Sequence, residues 1–155
     1  MLSNWQNYLH NQDDTDPLIK LAVQHYQFEA IHPFTDGNGR TGRIINFLYL
    51  VDQGLLDTPI LYLSRYIIQN KATYYENLLR VTTHQVWGDW ILYFLQAIKE
   101  TAKWTTKKII SIQDLISETC QVVQEKAPLV YNKDLIELLF VQPYIRIQNI
   151  VEKNR

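Results

Sequence analysis

Apolar residues recur along most of this chain with the spacing of a helix rather than the alternation of a strand. After Asp16-Pro17, apolar residues at 18, 21, 22 and 26 fall on one stripe. Asp16 reads as an N-cap and Pro17 as the first helical residue. This helix is predicted to stop at Ile31 or His32, because Pro33 disfavours helical backbone at the residue before it. "HPFTDGN" then reads as a loop. A new helix is predicted from near Gly39 or Arg40 to about Gln53, with Gly54 as its stop. Ahead of these, "SNWQNYLHN" predicts a short helix capped by Ser3.

Further on, "TPILYLSRYIIQN" has helical period, and "KATYYENLLRVTTH" puts Tyr74, Leu78 and Val81 on one stripe. "VWGDWILYFLQAIKETAKWTTKK" is long and amphipathic, and "IISIQDLISETCQVVQEK" follows it. The tail predicts two short helices joined at Gln142-Pro143. Strand signals are thin. The expected class is all-α: a helical core over residues 1–105 and a C-terminal helical appendage over 106–155. The longest apolar run, Ile44 to Val51, is far too short to span a membrane and reads as a buried helix.

Composition narrows the function classes. The chain has 155 residues, 46% hydrophobic and 20% charged, which suits one globular core. A formal net charge of -1 gives no general attraction to nucleic acid or anionic lipid, so neither is an expected partner. With the single cysteine Cys120, an intrachain disulfide and a four-cysteine zinc site are both excluded. A reducing, cytoplasmic location is expected. "MLSNWQNYLHNQDD" resembles neither a signal peptide nor a transit peptide.

Of the five glycines, Gly37, Gly39 and Gly42 lie within "HPFTDGNGRTGR", His32 to Arg43. A glycine-rich loop running into a helix N-terminus is an anion site: backbone N–H groups point outward and the helix dipole adds positive character. Gly37 and Gly39 carry no Cβ to hold a phosphate away. Asn38 tolerates left-handed backbone and has an amide to donate. Arg40 and Arg43 are three apart, on one helix face, and suit two phosphate groups. Asp36 beside polyphosphate calls for a divalent cation, and Mg²⁺ typically takes one or two carboxylates plus phosphate oxygens. His32 is the natural proton acceptor near neutral pH. Taken singly, each is more often structural: a helix-end histidine, a turn, a solvated arginine pair. Their value lies in the fixed offsets.

Outside the loop, Glu29 either orients His32 from three residues upstream or is an ordinary helix-end carboxylate. Trp87 and Trp90 share a helix face and read first as core. His10, His25 and His84 form no metal-ligand spacing with Cys120 and read as core or surface residues. The patch from Lys103 to Lys108 reads as solvated.

His32, Pro33, Phe34, Asp36, Gly37, Asn38, Gly39, Arg40 and Arg43 match every specified position of the H-P-F-x-D-G-N-G-R-x-x-R signature, and the chain therefore resembles the Fic family. "HYQFEAIHPF", "LYLVDQGLL" and "PILYLSRYIIQNKATYYENLL" are similar to that family as well, and "LFVQPYIRIQNIV" to the start of the winged-helix appendage some members carry. The resemblance implies a Fic-fold helical bundle and transfer of AMP from ATP to a hydroxyl side chain of a target protein. It implies that His32 is the base, and that Asp36 holds Mg²⁺. It makes Gly37 to Gly39 the anion hole, assisted by the Asn38 side chain, and Arg40 and Arg43 the ligands of the β and γ phosphates. Thr41 and Gly42 fall inside the same nucleotide-binding stretch. Phe34 is expected to pack into the core and fix the loop with Pro33, and Tyr74 to lie near the nucleobase or ribose. A related phosphorylating branch carries Lys where Gly39 stands, so Gly39 favours nucleotidyl transfer.

Relatives of this type usually have a longer N-terminal half with a β-hairpin flap that engages the target; neither it nor a complete winged helix is expected here. The inhibitory pattern [S/T]-x-x-x-E-[G/N] does not occur, so inhibition is expected from a partner in trans. Besides the unidentified target, a homodimer is compatible with the resemblance. The alternative expectation is a nucleotide-holding regulatory module with little turnover, or another Fic-type nucleotide or phosphoryl transfer. A DNA-associated adaptor is disfavoured by the near-neutral charge.

Overall fold

The computed structural model describes residues 1–11, 13–142, 144 and 146. Among them there are seven α-helices, one 3-10 turn and no strand, so the chain is all-α. The helices are α1 Leu2–His10, α2 Pro17–Ile31, α3 Asn38–Asp52, α4 Leu63–Gln69, α5 Lys71–His84, α6 Trp87–Lys126 and α7 Lys133–Leu139; the turn is Pro128–Val130. By its contacts the chain divides into two compact units, Met1–Thr105 and Thr106–Arg155.

The ends of α2 follow from their sequence. The Asp16 carboxylate accepts from the N–H groups of Leu18 at 2.8 Å and Ile19 at 3.4 Å, and Pro17 occupies the position where a missing N–H costs nothing. At the other end His32 turns left-handed, φ 49° and ψ 58°, while its N–H still bonds the Phe28 carbonyl. Gly54, at φ +65°, lies just past the end of α3.

Three local expectations need correction. Ser3 does not cap α1: the Met1 carbonyl accepts from Asn4 and Trp5 and starts the helix two residues earlier. The stretch 58–62 is not helical. Thr58 and Pro59 bend, the Ile60 and Leu63 N–H groups bond the Thr58 and Leu61 carbonyls in tight turns, and Tyr62 stands at φ -83° and ψ 70° before α4. The two long helical stretches are one helix, α6, because no glycine or proline interrupts them between Gly88 and Pro128. The second predicted tail helix falls largely outside the described residues.

In the first unit α2 packs against α1 and α3, and α4 against α5. The core gathers Leu21 and Ala22 from α2, Tyr49 and Leu50 from α3, Tyr74 and Val81 from α5, and Trp90, Phe94 and Ala97 from α6. Trp90 has no exposed surface, and its indole N–H donates to the Ala22 carbonyl at 2.8 Å. α1 is fixed by Trp5, whose indole N–H donates to the Gln24 carbonyl at 3.0 Å and whose ring lies 5.4 Å from Phe28. In the second unit Asn132 caps α7 through the N–H groups of Asp134 and Leu135, and Ile136 is buried. No helix among the described residues is long and apolar enough to cross a membrane.

Candidate functional site

The loop between α2 and α3 is built by backbone geometry first. It leaves α2 through the left-handed His32 and enters α3 through Gly37, whose φ of +84° costs little only without a Cβ. The Gly37 carbonyl then accepts the Thr41 N–H at 2.9 Å, opening the helix.

Asn38 closes the loop on itself. Its Oδ1 accepts the Phe34 N–H at 2.9 Å and its Nδ2 donates to the Phe34 carbonyl at 2.6 Å, with the residue only 2% exposed. The amide oxygen and one of its two N–H donors thus hold the loop in shape. Phe34 needs a correction. It is half exposed rather than in the core, and its ring sits 6.4 Å from that of Phe28. The loop is held by the Phe34 backbone, not by its ring.

The expected polar groups are arranged around this frame. His32 is exposed at the loop entrance. Asp36 is exposed and pairs with Arg40 at 3.1 Å, a one-turn contact on α3's open side. Arg43 turns the other way. A Cβ built on Gly39 would lie 3.1 Å from Arg43 Nη1, so the guanidinium lies across the Gly39 face of the helix N-terminus. The two guanidinium groups thus lie against different glycines, Arg40 by Gly37 and Arg43 by Gly39. Among the described residues no three His, Cys, Asp or Glu side chains converge as a metal set; at the loop the donor on offer is the single Asp36 carboxylate.

Gly42 lies within the expected nucleotide-binding stretch, but it is buried and faces α2. A Cβ there would meet Glu29 Oε1 at 2.9 Å, Phe28 Cδ1 at 3.1 Å and His25 Cε1 at 3.4 Å. Its small size lets α3 approach α2, which is a packing role.

Beneath the loop lies a polar network that the sequence did not disclose. Asn46 Nδ2 donates to His25 Nδ1 at 3.1 Å, which leaves the Nε2–H of His25 to donate to the Tyr74 hydroxyl at 3.0 Å. Gln24 Nε2 in turn donates to Asn46 Oδ1. All four residues are buried. Tyr74 is thus a core residue, 5% exposed, with its phenol pushed up mainly by burial and next by Glu29. The nucleobase position expected for it is not available to a side chain so enclosed. Its neighbour Tyr75 is the exposed member of the pair. A signal for this network was present: Gln24 and His25 fall one turn after Leu21 and Ala22, on the stripe those apolar residues mark as buried.

Burial, and then the charge of Arg43, hold the His25 imidazole down from 6.5 to about 3. In the unfolded chain the ring gains its proton near 6.5; in the fold it stays neutral far below that. Stability is therefore full above pH 6.5 and lost as pH falls, at about 1.4 kcal/mol per unit within the window. Between pH 6.5 and 5 the expected loss is about 2 kcal/mol. Urea denaturation at both pH values checks this against His25→Gln, in which that contribution to the slope should vanish. Glu29, whose carboxyl is raised by burial, acts in the opposite sense and is common to both proteins.

The Fic/DOC family model matches residues 1–50, and the model described as the C-terminal domain of SoFic-like protein adenylyltransferase matches residues 115–155. A probable protein adenylyltransferase of Aquifex aeolicus is 44% identical over 61 residues, which is 39% of this chain and 19% of that protein. The protein adenylyltransferase fic-1 of Caenorhabditis elegans is 38% identical over 63 residues, 41% of this chain and 11% of its own length. The protein adenylyltransferase Fic of Nematostella vectensis is 39% identical over 62 residues, 40% and 13% respectively. The chain therefore spans less than a fifth of the length of each of these relatives.

Proposed function

We propose that this chain, whose first 50 residues match the Fic/DOC family model, transfers AMP from ATP to a hydroxyl side chain of a target protein. The observation that carries this reading is the loop itself. A backbone closed by Asn38 presents Gly37 and Gly39 at the N-terminus of a 15-residue helix, with an exposed imidazole at one edge and a guanidinium across Gly39. The N–H groups of that first turn and the helix dipole take the phosphates. Arg43 and Arg40 neutralise those beyond the first. His32 takes the proton of the target hydroxyl as its oxygen forms the new bond to the α-phosphorus; the bond to the bridging oxygen breaks and pyrophosphate leaves.

Mg²⁺ fits this donor set, because Asp36 is an exposed carboxylate at the phosphate edge and such ions complete their shell with phosphate oxygens and water. When bound it neutralises charge on the leaving phosphates. The part of the chain that we assign to this chemistry is 1–105, with 106–155 as an appendage, in a reducing cytoplasm suited to the single Cys120. Regulation by an inhibitory partner in trans, and pairing of two copies, are part of the same reading.

The test is incubation with α-labelled ATP and Mg²⁺, alone and with cell lysate. Label on protein is the expected result. ATP binding in a calorimeter with no label on any protein would replace the transferase by a nucleotide-holding module, and no binding at all would remove the nucleotide reading.

A further inference from the structure

Glu29 sits on the last turn of α2, three residues before His32, and its carboxyl reaches under α3. Its Oε1 is closed off from solvent and accepts no hydrogen bond. An orphaned carboxylate oxygen is costly and calls for a reason. Its surroundings supply one. Oε1 lies 2.9 Å from where a Cβ on Gly42 would stand and 3.8 Å from where one on Gly39 would stand. Arg43 Nη1 lies 3.1 Å from that same Gly39 position. Carboxyl and guanidinium thus flank one glycine, the one that opens the helix N-terminus to an anion. Burial raises the Glu29 carboxyl, and the Arg43 guanidinium is the first group acting against that rise. Oε1 accepts a hydrogen bond from neither His32 nor Arg43, so what links Glu29 to the guanidinium is charge acting across the Gly39 face rather than a direct bond.

We propose that Glu29 is a positioning residue for Arg43: from beneath Gly39 and Gly42 its carboxylate directs the guanidinium across the N-terminus of α3, and through it sets the grip on the phosphates beyond the first. The proposal rests on the nucleotide reading above. It differs from a packing role in a measurable way. Glu29→Gln keeps the shape against Gly42 and removes only the charge, whereas Glu29→Asp keeps the charge and shortens its reach.

Two measurements test it. In the ligand-free protein labelled with ¹⁵N, the Arg43 Nε–H signal is identified by its loss in Arg43→Lys; it should shift in Glu29→Gln. Calorimetry with ATP and with AMP, each with Mg²⁺, should then show ATP weakened roughly tenfold in Glu29→Gln and AMP held within about twofold. Glu29→Asp should recover part of the loss, and Glu29→Gln should add nothing in an Arg43→Ala background. An Arg43 signal that ignores Glu29→Gln overturns the proposal. So does an equal loss for ATP and AMP, or a loss that persists without Arg43. If the signal moves but the wild type binds neither nucleotide, the nucleotide reading has failed, and with it the phosphate part of this proposal; Glu29 is then only a structural neighbour of Arg43.

Discussion

Replacing His32 by asparagine is expected to lower AMP transfer about 10²–10⁴-fold, the usual contribution of a positioned general base. ATP affinity should stay within about twofold, as for an exposed side chain that holds nothing else in place. The choice of residue matters. His32 occupies left-handed backbone at φ 49°, where alanine is strained and asparagine is tolerated. Asparagine therefore removes the base while leaving the turn that delivers the loop. None of the loop's own bonds involves the imidazole: they run between Asn38 and the Phe34 backbone, between Gly37 and Thr41, and between Asp36 and Arg40. A transfer assay against a calorimetric titration separates the two effects. Transfer that survives His32→Asn unchanged would deny His32 its role, and ATP affinity lost in parallel would make it a binding residue instead.

Trp90→Ala is expected to cost about 3–5 kcal/mol of stability, at the top of the range for emptying an aromatic site in a core. Trp90 has no exposed surface and lies within 6.2 Å, ring to ring, of His25, Tyr26, Tyr74, Tyr93 and Phe94. Removing it opens a void among five rings and deletes the bond to Ala22. Trp90→Phe isolates part of this. It keeps an aromatic ring and loses the N–H, and is expected to cost about 1–3 kcal/mol. Urea denaturation of both variants gives the two numbers. A cost for Trp90→Ala below that of Trp90→Phe would mean that α6 is not anchored to α2 through this residue.

How far the fold could be read in advance depended on whether the signal was local. Asp16-Pro17, Pro33 and Gly54 mark their boundaries within a few residues, and α2, α3 and α5 stand close to where the pattern put them. The turns at 58–62 were hidden because Ile60, Leu61 and Leu63 also fit a helical window, and helical period begins only at Leu63. At the loop, residue types and offsets were legible, but the division of labour was not. Whether Asn38 faces a ligand or its own loop depends on where its amide points. Whether Gly42 serves a phosphate or a neighbouring helix depends on how near α2 comes. Tyr74 and Tyr75 are identical in type and adjacent; a rotation of one residue along α5 decides which is enclosed. The His25 network joins residues 49 positions apart, His25 and Tyr74, and no spacing rule connects those.

Because both halves of the Asn38 amide are already bonded to Phe34, the loop is held in one shape without a ligand, and the proposed phosphate site would be preformed. Nothing has to fold shut before a phosphate is held, so arrival should follow encounter, without a waiting step. Ligands that differ in their phosphates would then differ chiefly in how long they stay.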